Sequence, residues 1–503
     1  MLSHVPVLLG SGLIAGSYAF SLQFTSPTTC CSLLGTEFNG ESKVFSPQSA
    51  EYGPLNTYWT PAAQQSPTCI FTPANTQDVS RAVKLFTRKN CQFAIRSGGH
   101  SYNPGWAGII NGVLISLSDI DDVTYDSQTG LASVGAGSRW TNVYGALLPY
   151  GVTVLGGRNS DLGVGGYLTG GGISYYANER GWATDNIHSV EIVLAGGRII
   201  TANRTQHSEL FRCIKGGSSN YGVITKFVLE TVDASTPFNA VSMRYPASST
   251  NEVLAAAYNY CTGGSDSDPK SHVIFSASIN GTQEYFNNLL MAYNGVFDVA
   301  NPAPIFEPYF DGTIPNPTPF VFAANTTIKY ATDWLSVRQA PGTRYTMGTV
   351  SIYADVELFK TLRNIWIAET TPDLQAKSGF FTEFAFQPVG QKWIDFSASR
   401  GDNSLGITSP IVVVWTQPRW NSASDDVDMV SYVNRMLGLF EQAAKDAGKF
   451  ANLKYLNYGG RNQDPIPTYG QQNILRMQLN KARYDPLNVF GRLVPGGFKI
   501  PGF

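Results

Sequence analysis

The stretch RSGGHSYNPGWAGI, residues 96–109, decides how this chain is read. It sets a histidine directly behind two glycines, in a chain with only five histidines. Glycine accepts positive φ and lets a backbone approach a ligand with no Cβ in the way. Two further clusters follow: GGRNSDLGVGGYLTGGGIS, residues 156–174, and KGGSSNYGVIT, residues 215–225. Consecutive backbone N–H groups in such turns can form a nest for phosphate oxygens. None of the three has the G-x-G-x-x-G spacing of a Rossmann fingerprint. Three clusters flanked by strand-like runs point to a large phosphorylated cofactor.

The chain around them alternates between helix and strand. NTQDVSRAVKLFTRKN offers an Asn75/Thr76 cap, then Val79, Ala82, Val83 and Phe86 at helical spacing. QFAIRSGG follows as a short strand running into the glycines, and GVLISLSDI and LASVGAG read as further strands. SRWTNVYGALLPYG puts Trp140, Val143, Tyr144 and Leu147 on one helical face. SVEIVLAGGRIITA predicts a hairpin whose Gly196-Gly197 turn needs positive φ.

Near residue 236 the composition changes. Four strand-like runs follow: HVIFSASIN, RYTMGTVSIYADV, GFFTEFAFQPV and SPIVVVWTQPRW. Helical patterns lie between or after them, the longest being DDVDMVSYVNRMLGLFEQAAKDAGK. They predict an α+β substrate domain with one antiparallel sheet flanked by helices. The Pro-rich NPAPIFEPYFDGTIPNPTPF reads as a surface connection, and the tail from Tyr455 returns to Gly- and Tyr-rich loops.

At 503 residues the chain suits two or three domains. Hydrophobic residues at 43% supply ample core. A net charge of −2, with no basic run, argues against nucleic acid as a partner. The leader MLSHVPVLLGSGLIAGSYAFSLQ has an apolar stretch ending at Ser17-Tyr18-Ala19, so residues 1–19 are expected to be a signal peptide. Sequons at Asn203, Asn280 and Asn325 agree with a secreted glycoprotein. No later run reaches about 18 apolar residues, so no membrane span is expected. Cys30, Cys31, Cys69 and Cys91 crowd the N-terminal fifth, whereas Cys213 and Cys261 stand alone. Disulfide geometry disfavours bonding neighbours, so Cys30 and Cys31 are expected to pair with Cys69 and Cys91, in either order. No histidine has ligand spacing to these thiols, so no metal is expected.

In order, RSGGHSYNPGWAG, GGRNSDLGVGGYLTGGGIS, ANERGWATDNIHSVEIVLAGG, LFRCIKGGSSNYGVITKF and YLNYGGRNQDPIPTYGQQNILRMQLNKARYDPLNVF resemble successive signatures of one family. It is the berberine-bridge-enzyme-like group of FAD-linked oxidases, within the vanillyl-alcohol-oxidase superfamily. The resemblance covers residues 67–227 and 455–490. It implies a two-lobed, PCMH-type FAD-binding domain over residues 20–236, with its core at 65–236. A substrate domain at 237–450 and a C-terminal segment at 451–503, returning to the FAD domain, complete the implied plan.

In that family the histidine after R-S-G-G is bonded to the 8α-methyl carbon of the flavin, and the resemblance gives His100 this role. A neutral imidazole is nucleophilic, and its ordinary pKa of about 6.5 permits that form near neutral pH. Ser97, Gly98, Gly99 and Ser101 are expected against the pyrophosphate, with Arg96 either a phosphate counter-ion or a solvated charge at a strand end. Gly157, Arg158, Ser160, Asp161, Gly163, Gly165 and Gly166 resemble a second cradle under the flavin ring. Val193 and Asn457 complete the implied FAD set. Asn159 stands where some members carry a second, cysteinyl link, so FAD covalently bound through one histidine is implied. Leu162 falls where the family varies between small and larger aliphatic residues, and bulk there obstructs dioxygen.

The substrate side is read from pattern. Tyr455 and Asn457 alternate onto one face of KYLNYGG, making Tyr455 the first candidate base and Tyr458 the second. On GFFTEFAFQPV, Phe381, Glu383 and Gln387 share one face and Phe380, Phe384 and Phe386 the other; a buried Glu383 is the third candidate. The implied reaction is hydride abstraction from a C–H next to O or N of an aromatic or polycyclic specialised metabolite. Dioxygen (O2) is the implied acceptor and the protein is expected to be a monomer. A carbohydrate oxidase is the alternative substrate class; a cyclase or isomerase using FAD as a scaffold is the non-redox alternative. No G-x-S-x-G, H-E-x-x-H or Walker motif competes.

Overall fold

The computed structural model describes residues 23–281, 285–297, 300–339 and 342–502. The expected signal peptide and Thr282 of the Asn280 sequon lie outside the described residues. Helix Pro27–Glu37 is capped by Ser26, whose hydroxyl accepts from the Thr29 N–H. Disulfides Cys30–Cys91 and Cys31–Cys69 pin this arm to the domain behind it, and Cys213 and Cys261 are free and buried.

The first lobe is a four-stranded sheet in the order Val44–Phe45, Cys69–Phe71, Val113–Ser116, Phe93–Arg96. The last three are mutually parallel, so a crossover must join them. Helix Thr76–Lys89 is that crossover: Asn75 caps it by accepting from Asp78 N, and Val79, Ala82, Val83 and Phe86 are fully buried. The second lobe is a five-stranded antiparallel sheet, Val123–Asp126, Leu131–Gly135, Gly222–Glu230, Ile187–Leu194, Ile199–Asn203. Its last two strands form the expected hairpin, with Gly196 and Gly197 at φ 77° and 87°.

Among the described residues, nine strands form the third sheet. Its path runs Thr318–Thr326, Phe238–Pro246, Tyr285–Asn294, Ser271–Asn280, Phe381–Val389, Ile411–Trp420, Gly348–Ile352, Phe450–Ala451, with Arg344–Tyr345 paired beside Ile411–Trp420. One face buries Phe275, Phe384, Phe386, Val412 and Val414 under helices Thr250–Asn259, Val356–Glu369 and Asp426–Asp446. The other face turns toward the first two lobes.

Sequence pattern finds the four runs at the centre of this sheet and misses those around them. Tyr285–Asn294 carries Asn287, Asn288 and Asn294, residues depleted in strands, and is held by its neighbours on both sides. Thr318–Thr326 begins inside the Pro-rich stretch read as a connection. It is the edge strand, where a proline such as Pro319 can stand without losing a ladder bond on the open side. The tail returns to both lobes: Phe93 N–H of the first donates to Leu493 O, and Asn220 Nδ2, just before strand Gly222–Glu230 of the second, donates to Phe498 O.

No described helix is long and apolar enough to cross a membrane, and no metal-binding cluster occurs among the described residues. Cys30–Cys91 spans a sequence separation of 61 residues, a loop whose closure constrains the unfolded chain by about 4 kcal/mol. Replacing both cysteines by serine is expected to lower the thermal unfolding temperature by several degrees. Unfolding that coincides with the wild type would show the bond adds nothing.

Candidate functional site

A cavity of about 860 Å3 lies between the glycine loops and the open face of the large sheet. It stands toward the upper end of the ~300–1,000 Å3 range of small-molecule sites. Ser97, Gly98, Gly99, His100 and Ser101 line it from one loop, and Leu162, Gly163, Gly165 and Gly166 from the other.

The two loops touch through their backbones. A Cβ on Gly98 would stand 2.5 Å from Gly163 Cα, and a Cβ on Gly163 would collide with Gly98 N. Their missing side chains make room for each other, where sequence reading made room for a pyrophosphate. Gly166 does open onto empty space. Ser97 Oγ stitches the loops further, donating to Ala136 O at 2.6 Å and accepting from Gly165 N at 3.2 Å. Ser101 Oγ accepts from Asn103 N at 3.1 Å. Arg139, which no motif marks, bonds Gly98 O at 2.7 Å and pairs with the Asp161 carboxylate at 3.0 Å.

Five residues expected to bind the cofactor stand behind the cavity wall instead. Arg96 is buried rather than solvated: its Nη2 bonds Leu55 O and Ser116 Oγ, it lies over the Tyr58 ring, and its Nη1 has no hydrogen-bond partner. Asp161 answers Arg139. A Cβ on Gly157 would strike Trp140, Ser160 N–H donates to Thr332 O, and Val193 is a buried sheet residue.

His100 is held by an aromatic stack. Its ring lies 4.2 Å from Trp59 at 18°, and Trp59 lies 4.3 Å from Tyr345 at 27°. Trp59 Nε1 donates to Gln339 O at 3.0 Å. Burial lowers the His100 pKa to about 3, so the ring is neutral and nucleophilic across the working pH range. Nε2 is shut into the protein without a hydrogen-bond partner, while the residue itself lines the cavity. Trp59 lies far ahead of the glycine motif, and nothing in the sequence links the two.

Arg158 crosses from the glycine loop to the sheet. Its Nη2 donates to Tyr458 Oη at 2.6 Å and to Gln387 Oε1 at 3.3 Å, and its Nη1 to His272 Nε2 at 3.0 Å. A guanidinium can only donate, so His272 carries its proton on Nδ1, and burial keeps that ring neutral. Tyr458 in turn donates to Gln387 Oε1 at 3.2 Å. These three partners of the cation are neutral side chains.

Tyr455, the first-ranked candidate base, is occupied elsewhere. Its oxygen accepts from Gly172 N at 2.9 Å and from Asn457 Nδ2 at 3.0 Å, and burial pushes its pKa well above the usual phenol value, so it keeps its proton. Asn457 also donates to Tyr167 O. Glu383 and Gln387 face the cavity together with Phe381, as strand alternation predicts, while Phe384 and Phe386 fill the core. Burial raises the Glu383 pKa, opposed by a hydrogen bond from Ser276 and by the charge of Arg419.

Residues 67–203 match the family described as FAD binding domain. The FAD-dependent monooxygenase tpcD of Cochliobolus heterostrophus is 31% identical over 453 residues, covering 88% of this chain and 87% of that protein. The chain belongs to the berberine-bridge-enzyme-like family of FAD-linked oxidoreductases. Solved structures share the whole fold. BBE-like 1 of Physcomitrella patens aligns with a TM-score of 0.72 at 19% identity, over 92% of this chain and 97% of that one. Glucooligosaccharide oxidase of Acremonium strictum aligns with a TM-score of 0.78 at 17% identity, over 96% and 100%. The architecture is thus an α+β fold with a two-lobed FAD-binding part of the PCMH type and a substrate sheet flanked by helices.

The residues present fit FAD. The cavity is large, a neutral imidazole stands on its wall, and Gly166 leaves the loop open beside it. Gly163→Ala forces the loops apart, so the purified variant is expected to lose most of its visible flavin absorbance. Gly438→Ala, with nothing within 4 Å, is expected to keep it. Full flavin content in Gly163→Ala contradicts the role given to this contact.

Proposed function

We propose that this protein is a secreted, monomeric oxidase whose FAD is held by one covalent bond to His100. It removes hydride from a C–H bond next to O or N of a small aromatic or polycyclic substrate. The FAD-binding part spans residues 20–236 and 451–503, and the substrate part residues 237–450. The observation that carries this reading is one cavity bearing both a neutral imidazole and a tyrosine oxygen gripped by a guanidinium.

A single covalent link is supported by Asn159. It stands where a second, sulfur link would need cysteine, and it bonds Gln339 Oε1 and Asp161 N. A glucooligosaccharide oxidase structure from Acremonium strictum is described with 6-S-cysteinyl, 8α-N1-histidyl FAD. A histidyl bond through N1, which is Nδ1, agrees with the burial of His100 Nε2. Two disulfides and the exposed Asn325 sequon support export.

Tyr458 is the base in this reading. Arg158 Nη2 donates to its oxygen at 2.6 Å, so negative charge developing on that oxygen would meet a guanidinium already in place. Tyr458 takes the proton from the substrate O–H or N–H, and Gln387 fixes the phenol from its other side. Tyr102, Ile274, Met347 and Trp415 pack as an apolar cluster around this point and keep water out. Bound FAD supplies the acceptor for the hydride leaving the carbon, and the two electrons then pass to dioxygen, giving hydrogen peroxide. Leu162 lines the cavity at the place where bulk meters dioxygen.

Anaerobic mixing with benzylic alcohols, phenols and oligosaccharides tests this. A substrate should bleach the visible absorbance, and readmitted air should yield one peroxide per product. Tyr458→Phe is expected to slow bleaching by about 10²–10⁴-fold. Tyr455→Phe should lower the unfolding temperature, by stranding the Gly172 N–H, with the bleaching rate nearly unchanged. Turnover without bleaching contradicts the redox reading and favours a cyclase. An oxygen atom retained in the product, without peroxide, favours a monooxygenase.

A further inference from the structure

The sheet wall of the cavity is chemically graded along its strands. Gln387 and Glu383 face the cavity from the same strand, Phe381–Val389. At about 3.3 Å of rise per residue, their four-residue separation is about 13 Å. Gln387 marks the reacting end, because its Oε1 meets both Tyr458 and Arg158. Beside that polar group the wall is apolar and aromatic: Ile274 and Trp415 pack with Tyr458.

In the row of Glu383 the character inverts. Its register partners are Ser278 on one neighbouring strand and Gln417 on the other, and both line the cavity. Ser276, whose hydroxyl donates to Asn288 O, and Arg419, which lies over the Phe381 ring, both favour the charged carboxylate against the effect of burial. The carboxyl group is enclosed by protein yet open to the cavity. Ser278 Oγ already accepts from Asn288 Nδ2 at 2.8 Å, but an apolar ligand end would desolvate the Glu383 carboxyl and the Gln417 amide with no partner to replace water.

Resting on the redox reading above, we propose that Glu383 determines specificity by accepting a hydrogen bond from a substrate hydroxyl about 13 Å from the reacting C–H. The substrate is then an elongated molecule with an apolar, ring-like reacting end and a hydroxylated far end. A hydroxyl suits the site better than an ammonium. It both donates and accepts, so it pairs with Glu383 in either protonation state and also with Ser278 and Gln417. At about two strand rows from Tyr458's contact, Glu383 is too far to share in proton removal there.

Calorimetric titration of the flavin-loaded protein tests the assignment with two probes, phenyloctanol bearing a terminal hydroxyl and phenyloctane. Wild type is expected to bind the alcohol about tenfold more tightly. Glu383→Leu should erase that preference by weakening the alcohol alone, and the near-isosteric Glu383→Gln should keep most of it. Equal binding of both probes by wild type, or equal weakening of both by Glu383→Leu, overturns the proposal. So does loss, in Glu383→Gln with probe binding intact, of the bleaching that a benzylic alcohol, phenol or oligosaccharide gives in wild type, which would make Glu383 the base and leave the redox reading standing. Absence of bleaching by every benzylic alcohol, phenol and oligosaccharide named above, with the hydroxyl preference intact, would sink the redox reading instead.

Discussion

Gly98 and Gly163 lie backbone against backbone, so closely that neither can carry a side chain. This contact joins two loops that come from different elements, and the rest of the site hangs from it. His100 stands two residues beyond one partner, and Leu162 adjoins the other. Arg158, five residues before Gly163, leaves the same loop to reach the sheet. Arg139 fastens the junction from behind through Gly98 O and Asp161. A shift here moves the imidazole and the guanidinium together.

The chemistry is then divided by burial and by partners. His100 is desolvated into neutrality and held flat by Trp59, which Tyr345 backs from the far side. Tyr455 and Tyr458 share one short segment and pack ring to ring at 4.8 Å, yet they differ in role. A backbone N–H and an amide fix the oxygen of the first, whereas a cation grips that of the second. The large sheet works in the same economical way. Alternate residues of Phe381–Val389 build the core with Phe384 and Phe386 and the cavity wall with Glu383 and Gln387.

What was legible in the sequence is local. The Asn75 cap, the buried stripe of Thr76–Lys89, the diglycine hairpin and the alternation of Phe381–Val389 follow from short-range pattern, and all are present. The cysteine partners were legible too, though not which pairs with which. What escaped depends on distant neighbours. Pro319 sits in a strand because that strand is an edge, and Tyr285–Asn294 is a strand because two others hold it. Trp59 and Arg139 belong to no motif and act on residues far along the chain. The glycines were legible as places without Cβ, but pattern could not say whether ligand or backbone fills the space. Arg96 and Arg158 were both read as cofactor residues. Arg96 stands behind the cavity wall on Leu55 and Ser116, whereas Arg158 lines the cavity and also reaches the sheet, a difference the pattern does not show.

The central claim is that the imidazole of His100 carries the flavin. Trypsin frees residues 97–139 as one peptide, bounded by Arg96 and Arg139. Mass spectrometry of that peptide from acid-denatured, yellow protein is the most direct test. The account predicts a mass increased by one FAD, with the modification on His100. The unmodified mass, with the yellow colour released into the supernatant, would contradict it.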